Sequence, residues 1–274
     1  MKRLLNQKPS RVGRLLLGIL PFVVILVIYI VASDLRLEAN PHDKLLPSFA
    51  QMGQTIERMA FEPNRRTGEY IFWNDTLSSL KRLLLGVLIA ASLGLMIGLF
   101  IGALPLAGAS FSPLVTVISL IPPLALLPIL FIVFGLGETA KVALIAIGIT
   151  PFIARDLQRR TQEIPCEQLI KAQTLGANTS QTLIRVLLPQ LTPRLLDAVR
   201  LSLGTGWLFL IASEAIASTE GLGYRIFLAR RYMSMDIILP YVAWITFLAF
   251  LLDWLLLKTN QKLFPWHSQG DKHD

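Results

Sequence analysis

The 274-residue sequence predicts an all-α membrane protein with six transmembrane helices. It is 53% hydrophobic and only 16% charged, too little charge to clothe a soluble fold of this length. The apolar residues gather into six runs, and lipid offers no partner to a free backbone amide or carbonyl, so each run must close its own hydrogen bonds as a helix. Lys and Arg cluster at the flanks of these runs, as positive charge does on the cytoplasmic side of a bilayer.

The same counts exclude several classes. A formal charge of +8 suits nucleic acid in principle, but no basic, aromatic-studded domain is present, and the partner it predicts is membrane lipid. Cys166 is the only cysteine, so no intrachain disulfide forms. His42, His267 and His273 lie outside the runs, leaving the spans without a histidine metal site or general base.

The first run, 15–33, follows a tail with Lys2, Arg3, Lys8, Arg11 and Arg14 and no acid, which places that tail in the cytoplasm. The basic start and "VAS" before Asp34 also suit a signal peptide, but the run exceeds a signal core and reads as a retained span. Residues 1–33 thus form tail and first span, and 34–75 an external segment. Within it, "PSFAQMGQTIERMAF" sets Phe49, Met52, Ile56 and Met59 on one helical face, and Ser48 with Gln51 makes a capping box. That amphipathic helix lies on the outer membrane surface or packs on the rim of the bundle. "EPNRRTGEY" reads as an exposed turn.

Five further runs, 80–104, 113–134, 139–154, 195–217 and 238–257, make a five-span core over 76–257. Gly94, Gly98 and Gly102 in the second run repeat a small residue every four positions and permit close helix approach. Pro122, Pro123 and Pro128 kink the third run, and Pro151 ends the short fourth. Asp197 and Arg200 sit three apart and can pair on one face of the fifth, whereas Asp253 reads as interfacial. Glu214, near the outer end of the fifth run, is either a counter-charge on a translocation path or an internal hydrogen-bonding group. Residues 258–274, with Lys258 and Lys262, form a cytoplasmic tail. Arg225, Arg230 and Arg231 fall outside, against the general charge bias.

The 155–194 loop is cytoplasmic and too polar for lipid. Pro165 suits a first helical turn, and Leu169, Ala172 and Leu175 then share a face. Gly176 breaks that helix, and Asn178 or Thr179 caps a second short one carrying Ile184, Val186 and Leu187 up to a stop at Pro189. Apolar side chains on a water-facing element call for a protein that covers them.

Gly176, nine residues, then Val186, Leu187, Leu188 and Pro189 resembles the glycine-to-"I-x-L-P" spacing of the "EAA" loop in membrane subunits of bacterial ABC importers. "TLSSLKRLLLGVLIAASLGLMIGLFIG", "IPPLALLPILFIVFGLGETAKVALI", "RLSLGTGWLFLIASEAIA" and "EGLGYRI" are similar to text in permeases of the nitrate/taurine/sulfonate type, over about Leu46 to Asp253. The resemblance implies a type I ABC importer permease fold in a bacterial inner membrane, multi-pass, with both termini cytoplasmic. It implies as partners a second permease copy in a homodimer, two cytoplasmic ATPase subunits and an external solute-binding protein. This chain lacks a phosphate-cradling G-x-x-x-x-G-K-[ST] loop, so it cannot hydrolyse ATP itself; the resemblance implies a chain that is not an enzyme and carries no cofactor, with ATP and Mg on the partner ATPase.

Carried onto this sequence, the ATPase-coupling loop is Leu169, Ile170, Lys171, Ala172, Leu175, Gly176, Ala177, Val186, Leu188 and Pro189, with Ile170 where the motif has Glu. The candidate path is Ile121, Pro122, Pro123, Leu124 and Glu214. The solute implied is nitrate-, taurine- or sulfonate-like. "NPHDKLLPSFAQM", "RTGEYIFW" and "RDLQRR" also resemble permeases linked with urea-carboxylase-type enzymes, which implies a urea- or guanidinium-type solute instead. An ion-coupled secondary transporter would want paired buried acids or an inverted repeat, and an intramembrane enzyme a metal cluster or Ser/His pair; the sequence presents none of these.

Overall fold

The computed structural model describes residues 10–40, 43–64 and 68–270, and among these every regular element is a helix. The basic tail before Ser10, His42, the tip of the "EPNRRTGEY" turn and the last four residues, His273 included, lie outside the described residues.

Helix α1, Arg11–Ala39, is longer than its apolar run because Ser10 caps it, accepting from the Gly13 amide at 3.1 Å. Helix α2, Phe49–Phe61, forms the expected capping box: Ser48 Oγ accepts from the Gln51 amide and Gln51 Oε1 from the Ser48 amide. Its Met52, Thr55, Met59 and Ala60 are buried, and Thr55 donates to Asp236 at 2.9 Å, so α2 packs on the rim of the bundle.

Helix α3, Ile71–Ala103, and α6, Glu138–Gln162, form the spine. Gly86 abuts Ile145, Gly94 abuts Ile153, Gly98 abuts Leu157 and Gly102 abuts Thr161, a constant offset of about 59 residues, so the two helices run parallel. A Cβ built at these glycines would stand 2.6–2.8 Å from its neighbour, closer than carbon atoms approach. The repeated small residues are therefore the contact itself.

A parallel pair needs a return between its members. Helix α4, Pro105–Ser119, a 3₁₀ turn at Pro123–Leu126 and α5, Leu127–Phe134, supply it, with a bend of 81° between the halves. The predicted 113–134 span is therefore a broken one: it starts earlier, at Pro105, and consecutive Pro122 and Pro123 remove two amide donors where the helix would continue. Pro151, by contrast, does not end the fourth run, because the α3 seam holds α6 through it to Gln162.

A short helix, α7, Cys166–Thr174, follows α6. After Gly176, α8 (Thr179–Gln181), a π-helical stretch (Thr182–Leu187) and α9 (Leu188–Ala217) form one 39-residue run. The expected stop at Pro189 is not made: proline is tolerated in the first turn of α9, and the preceding π stretch takes up the change, the Leu188 amide donating to the Leu183 carbonyl. The 155–194 loop is accordingly much shorter than expected, being helical at both ends. Helix α10, Leu222–Arg231, leads to α11, Met235–Leu263, antiparallel to α9, and α12, Pro265–Gly270. Arg200 pairs chiefly with Asp253 at 2.9 and 3.0 Å and only distantly with Asp197 at 3.8 Å, so Asp253 is a structural partner and not merely interfacial. Asp197 instead takes Asn260 and His267.

Among the described residues four helices are long and apolar enough to cross a membrane, or five with the bent pair counted as one. The six runs are thus not six unbroken apolar spans. The remaining one is α6, which carries Glu138 and Lys141 at one end and Arg155 and Asp156 near the other.

Gly98→Val is expected to force a Cβ onto the Ala154 carbonyl, 2.8 Å away, and to destabilise the fold by about 1–3 kcal/mol or more. Gly18→Ala, with nothing within 4 Å, should leave the detergent melting temperature near that of the parent.

Candidate functional site

The two ends of the bundle differ in chemistry. At the end where α2 lies, Arg82 is 1% exposed although it stands within an apolar run. Its guanidinium meets Glu138 from the start of α6, Glu214 at 2.7 Å from the end of α9, and Glu220 at 3.3 Å from the following turn. Lys141 adds a contact to Glu138 at 2.9 Å and donates to Ser218 at 3.1 Å. Beside this cluster Asp75 holds Arg225 at 2.7 Å, accepts from the Tyr241 hydroxyl at 3.2 Å and from the Gly221 amide at 2.9 Å. An ion in a bundle core is tolerated only when paired and hydrogen-bonded, and these groups satisfy one another.

Glu214 is fully buried, its oxygens taken by Arg82, Ser79 and the Gly223 amide. It is an internal tie, not a carboxylate facing an open path. Gly221 has φ +116°, and a Cβ there would lie 2.5 Å from Glu214 Oε1, so only glycine closes this turn. The same contacts account for Arg225 on the side where few basic residues were expected.

Sequence reasoning singled out Glu214 and missed Arg82, Asp75, Glu138, Lys141 and Glu220. The signal was present: Arg82 and Lys141 are charges inside predicted spans, and each needs an acid. The partners of Arg82 lie 56 to 138 residues away along the chain, which no spacing rule supplies.

Ile121 and Leu124 are 42% and 39% exposed at the bend between α4 and α5. Ile121 and Pro123 border a small cavity of about 30 Å³ with Gly148 and Phe152, room for a few water molecules. Pro122 lies exposed beside them. The bend and Glu214 are therefore not joined in one chamber within this chain.

At the opposite end stands α7. Gly176 has φ +85°, and the Ala177 amide reaches back to the Ala172 carbonyl at 3.0 Å, closing the helix. Asn178 then caps the next helix in a box with Gln181. Gln190 donates to Gln168 at 3.1 Å and ties α7 to α9. Ile170 is 55% exposed, Leu175 81% and Ile184 62%. Lys171 and Gly176 are exposed; Leu169, Ala172, Ala177, Val186 and Leu188 are half-buried, and Pro189 is exposed at the start of α9. The predicted loop residues thus come together as one turn, with Ile170, Leu175 and Ile184 exposed among polar neighbours.

Comparison with known proteins adds to this geometry. Residues 90–264 match the family described as binding-protein-dependent transport system inner membrane component. The chain is 34% identical to the taurine transport system permease protein of Escherichia coli K12, over 72% of each chain. It is 32% identical to the bicarbonate transport system permease protein of Synechococcus elongatus, over 67% of this chain and 66% of that one. Its fold is that of a chain from the inward-facing MetNI methionine ABC transporter, with TM-score 0.63, 20% identity, and coverage of 73% of this chain and 99% of that one.

Arg82→Met is expected to strand the buried Glu214 carboxylate and cost about 3–5 kcal/mol. Pairing it with Glu214→Gln should recover part of the loss, read as melting temperature in detergent. Equal melting of parent and single variant would remove the cluster as a structural tie.

Proposed function

The chain belongs to the family of binding-protein-dependent transport system inner membrane components, and on that premise we propose how it couples transport to ATP. It is a transmembrane permease subunit of an ABC importer and not itself an enzyme: the ATPase is a separate subunit, and an external solute-binding protein delivers the solute. In our reading two copies pair as a homodimer with two ATPase subunits, with α7 and both termini on the cytoplasmic side. ATP and Mg sit on the ATPase.

The observation that carries this reading is the exposed apolar side chains on and after α7, Ile170, Leu175 and Ile184, at the end opposite α2. The cytoplasmic ATPase covers this face, and its movement on binding nucleotide displaces α7. Coupling then requires only that the ATPase contact two permease states differently. Ile170 in place of the usual Glu makes the contact here more apolar. The bend at Ile121–Leu124 faces out of the single chain, so the path it lines runs between copies.

The solute we assign is a small oxyanion or organosulfonate, in keeping with the taurine and bicarbonate relatives. A guanidinium-type solute would need a free intramembrane acid, and Glu214 is committed to Arg82.

Ile170→Glu together with Leu175→Glu is expected to leave the chain membrane-inserted and to lower ATP-dependent uptake in proteoliposomes at least about tenfold, since burying two such side chains contributes about 3 kcal/mol or more. Undiminished uptake at wild-type ATPase stoichiometry would contradict coupling through α7. Calorimetry of the cognate binding protein with taurine, nitrate and guanidinium tests the solute; tight binding of guanidinium alone would overturn the oxyanion assignment.

A further inference from the structure

A polar cleft of about 450 Å³ opens between α4 and α6 near the α7 end, lined by Ser112, Thr116, Phe152, Arg155, Gln158 and Arg159 among others. Its walls follow helical spacing. Residues 152, 155, 158, 159 and 162 share one face of α6, and 112, 116 and 119 share one face of α4. Arg155 donates to Ser119 Oγ at 2.8 Å and Gln158 to Ser112 Oγ at 3.0 Å, so the cleft is held open by polar contacts across the two helices.

The charges here are unbalanced. Asp156, which also lines the cleft, is taken by Arg160 at 2.8 Å, and nearby Glu163 by Arg194 at 3.6 Å. Among the described residues neither Arg155 nor Arg159 has a carboxylate within salt-bridge distance. Two guanidinium groups and the Ser112 hydroxyl therefore border a concave space of about 450 Å³ that holds no unpaired acid, while Gln158 and Thr116 are committed to Ser112 Oγ and the Ser112 carbonyl. Arginine forks match the oxygens of a phosphate or sulfonate, and a low-dielectric wall concentrates their field.

We propose that this cleft is an oxyanion-binding site, taking a phosphate- or sulfonate-type group on Arg155 and Arg159 with Ser112 as a supporting hydroxyl. Two sources present that chemistry at this end of the bundle: the headgroup of an anionic phospholipid and a free small oxyanion in solution. The site stands on its own charge balance and geometry and is independent of the coupling role of α7.

The test uses the assembled permease–ATPase complex in neutral-lipid nanodiscs, with Ser112→Cys in a Cys166→Ser background. Modification by an anionic methanethiosulfonate (sulfonatoethyl) is compared with a cationic one (trimethylammonioethyl), each normalised to its rate with 2-mercaptoethanol in solution. The anionic preference of the introduced thiol should exceed that of 2-mercaptoethanol by about tenfold, and adding Arg159→Gln should collapse it. Protection of the thiol by millimolar sulfate assigns a free oxyanion. Protection on replacing phosphatidylcholine with phosphatidylglycerol, without sulfate, assigns a lipid headgroup. An anionic preference no greater than that of 2-mercaptoethanol, with neither sulfate nor phosphatidylglycerol protecting, would overturn the proposal while leaving the permease assignment intact. Native mass spectrometry of phosphatidylglycerol adducts on the parent and on Arg155→Gln/Arg159→Gln gives a reading that needs no introduced cysteine.

Discussion

The close, parallel contact of α3 with α6 is the constraint on which the rest of the bundle is built. Lipid is as apolar as a leucine side chain, so no hydrophobic force drives two helices together in a membrane; van der Waals packing must do so. Gly86, Gly94, Gly98 and Gly102 let the α6 side chains and backbone settle against α3 at distances that exclude even a methyl group. Because the pair is parallel, the chain between them must travel back across the bundle. That return is the broken element of α4 and α5, and its bend is a consequence of the seam as much as of Pro122 and Pro123.

The seam also fixes where charge can go. With α3 and α6 in one register, Arg82 and Lys141 arrive at the same end, and Glu138, Glu214 and Glu220 gather around them. Removing water from these groups is costly, and their mutual contacts offset that cost only while every member is in place. The cluster therefore joins α3, α6, α9 and the turn before α10 into one unit at this end. Gly221 and Gly223 belong to the same solution, since each backbone passes against the Glu214 side chain.

The fold class was legible because lipid makes hydrophobic runs and helices nearly synonymous. The α2 capping box, the glycine seam, the break at Gly176 and the cap at Asn178 were legible because each is local chemistry acting within four residues. What sequence reasoning got wrong was how prolines behave once packed. Pro151 and Pro189 were read as ends, yet neighbouring helices carry the chain through both; Pro122 and Pro123 were read as a kink, yet two in succession make a full break. The buried cluster was half legible. Charges inside spans announce that partners exist, but identifying them needs the register that only the packed seam provides.

The continuous run from Thr179 to Ala217 connects what these pieces leave apart. It begins beside the exposed turn of α7, tied to it through Gln190 and Gln168, and it ends three residues after Glu214 in the buried cluster. A helix is stiff along its axis, at about 1.5 Å per residue, so these 39 residues form a strut of about 58 Å whose two ends cannot shift independently. Its π-helical stretch, Thr182–Leu187, lies next to α7, with Leu187 its one buried side chain. On the coupling proposed here, a displacement of α7 reaches the far end through this strut, and at that end the Arg82 cluster compels α3 and α6 to follow α9. Compliance near the turn and rigidity at the cluster therefore favour movement of the core as a whole over bending within it.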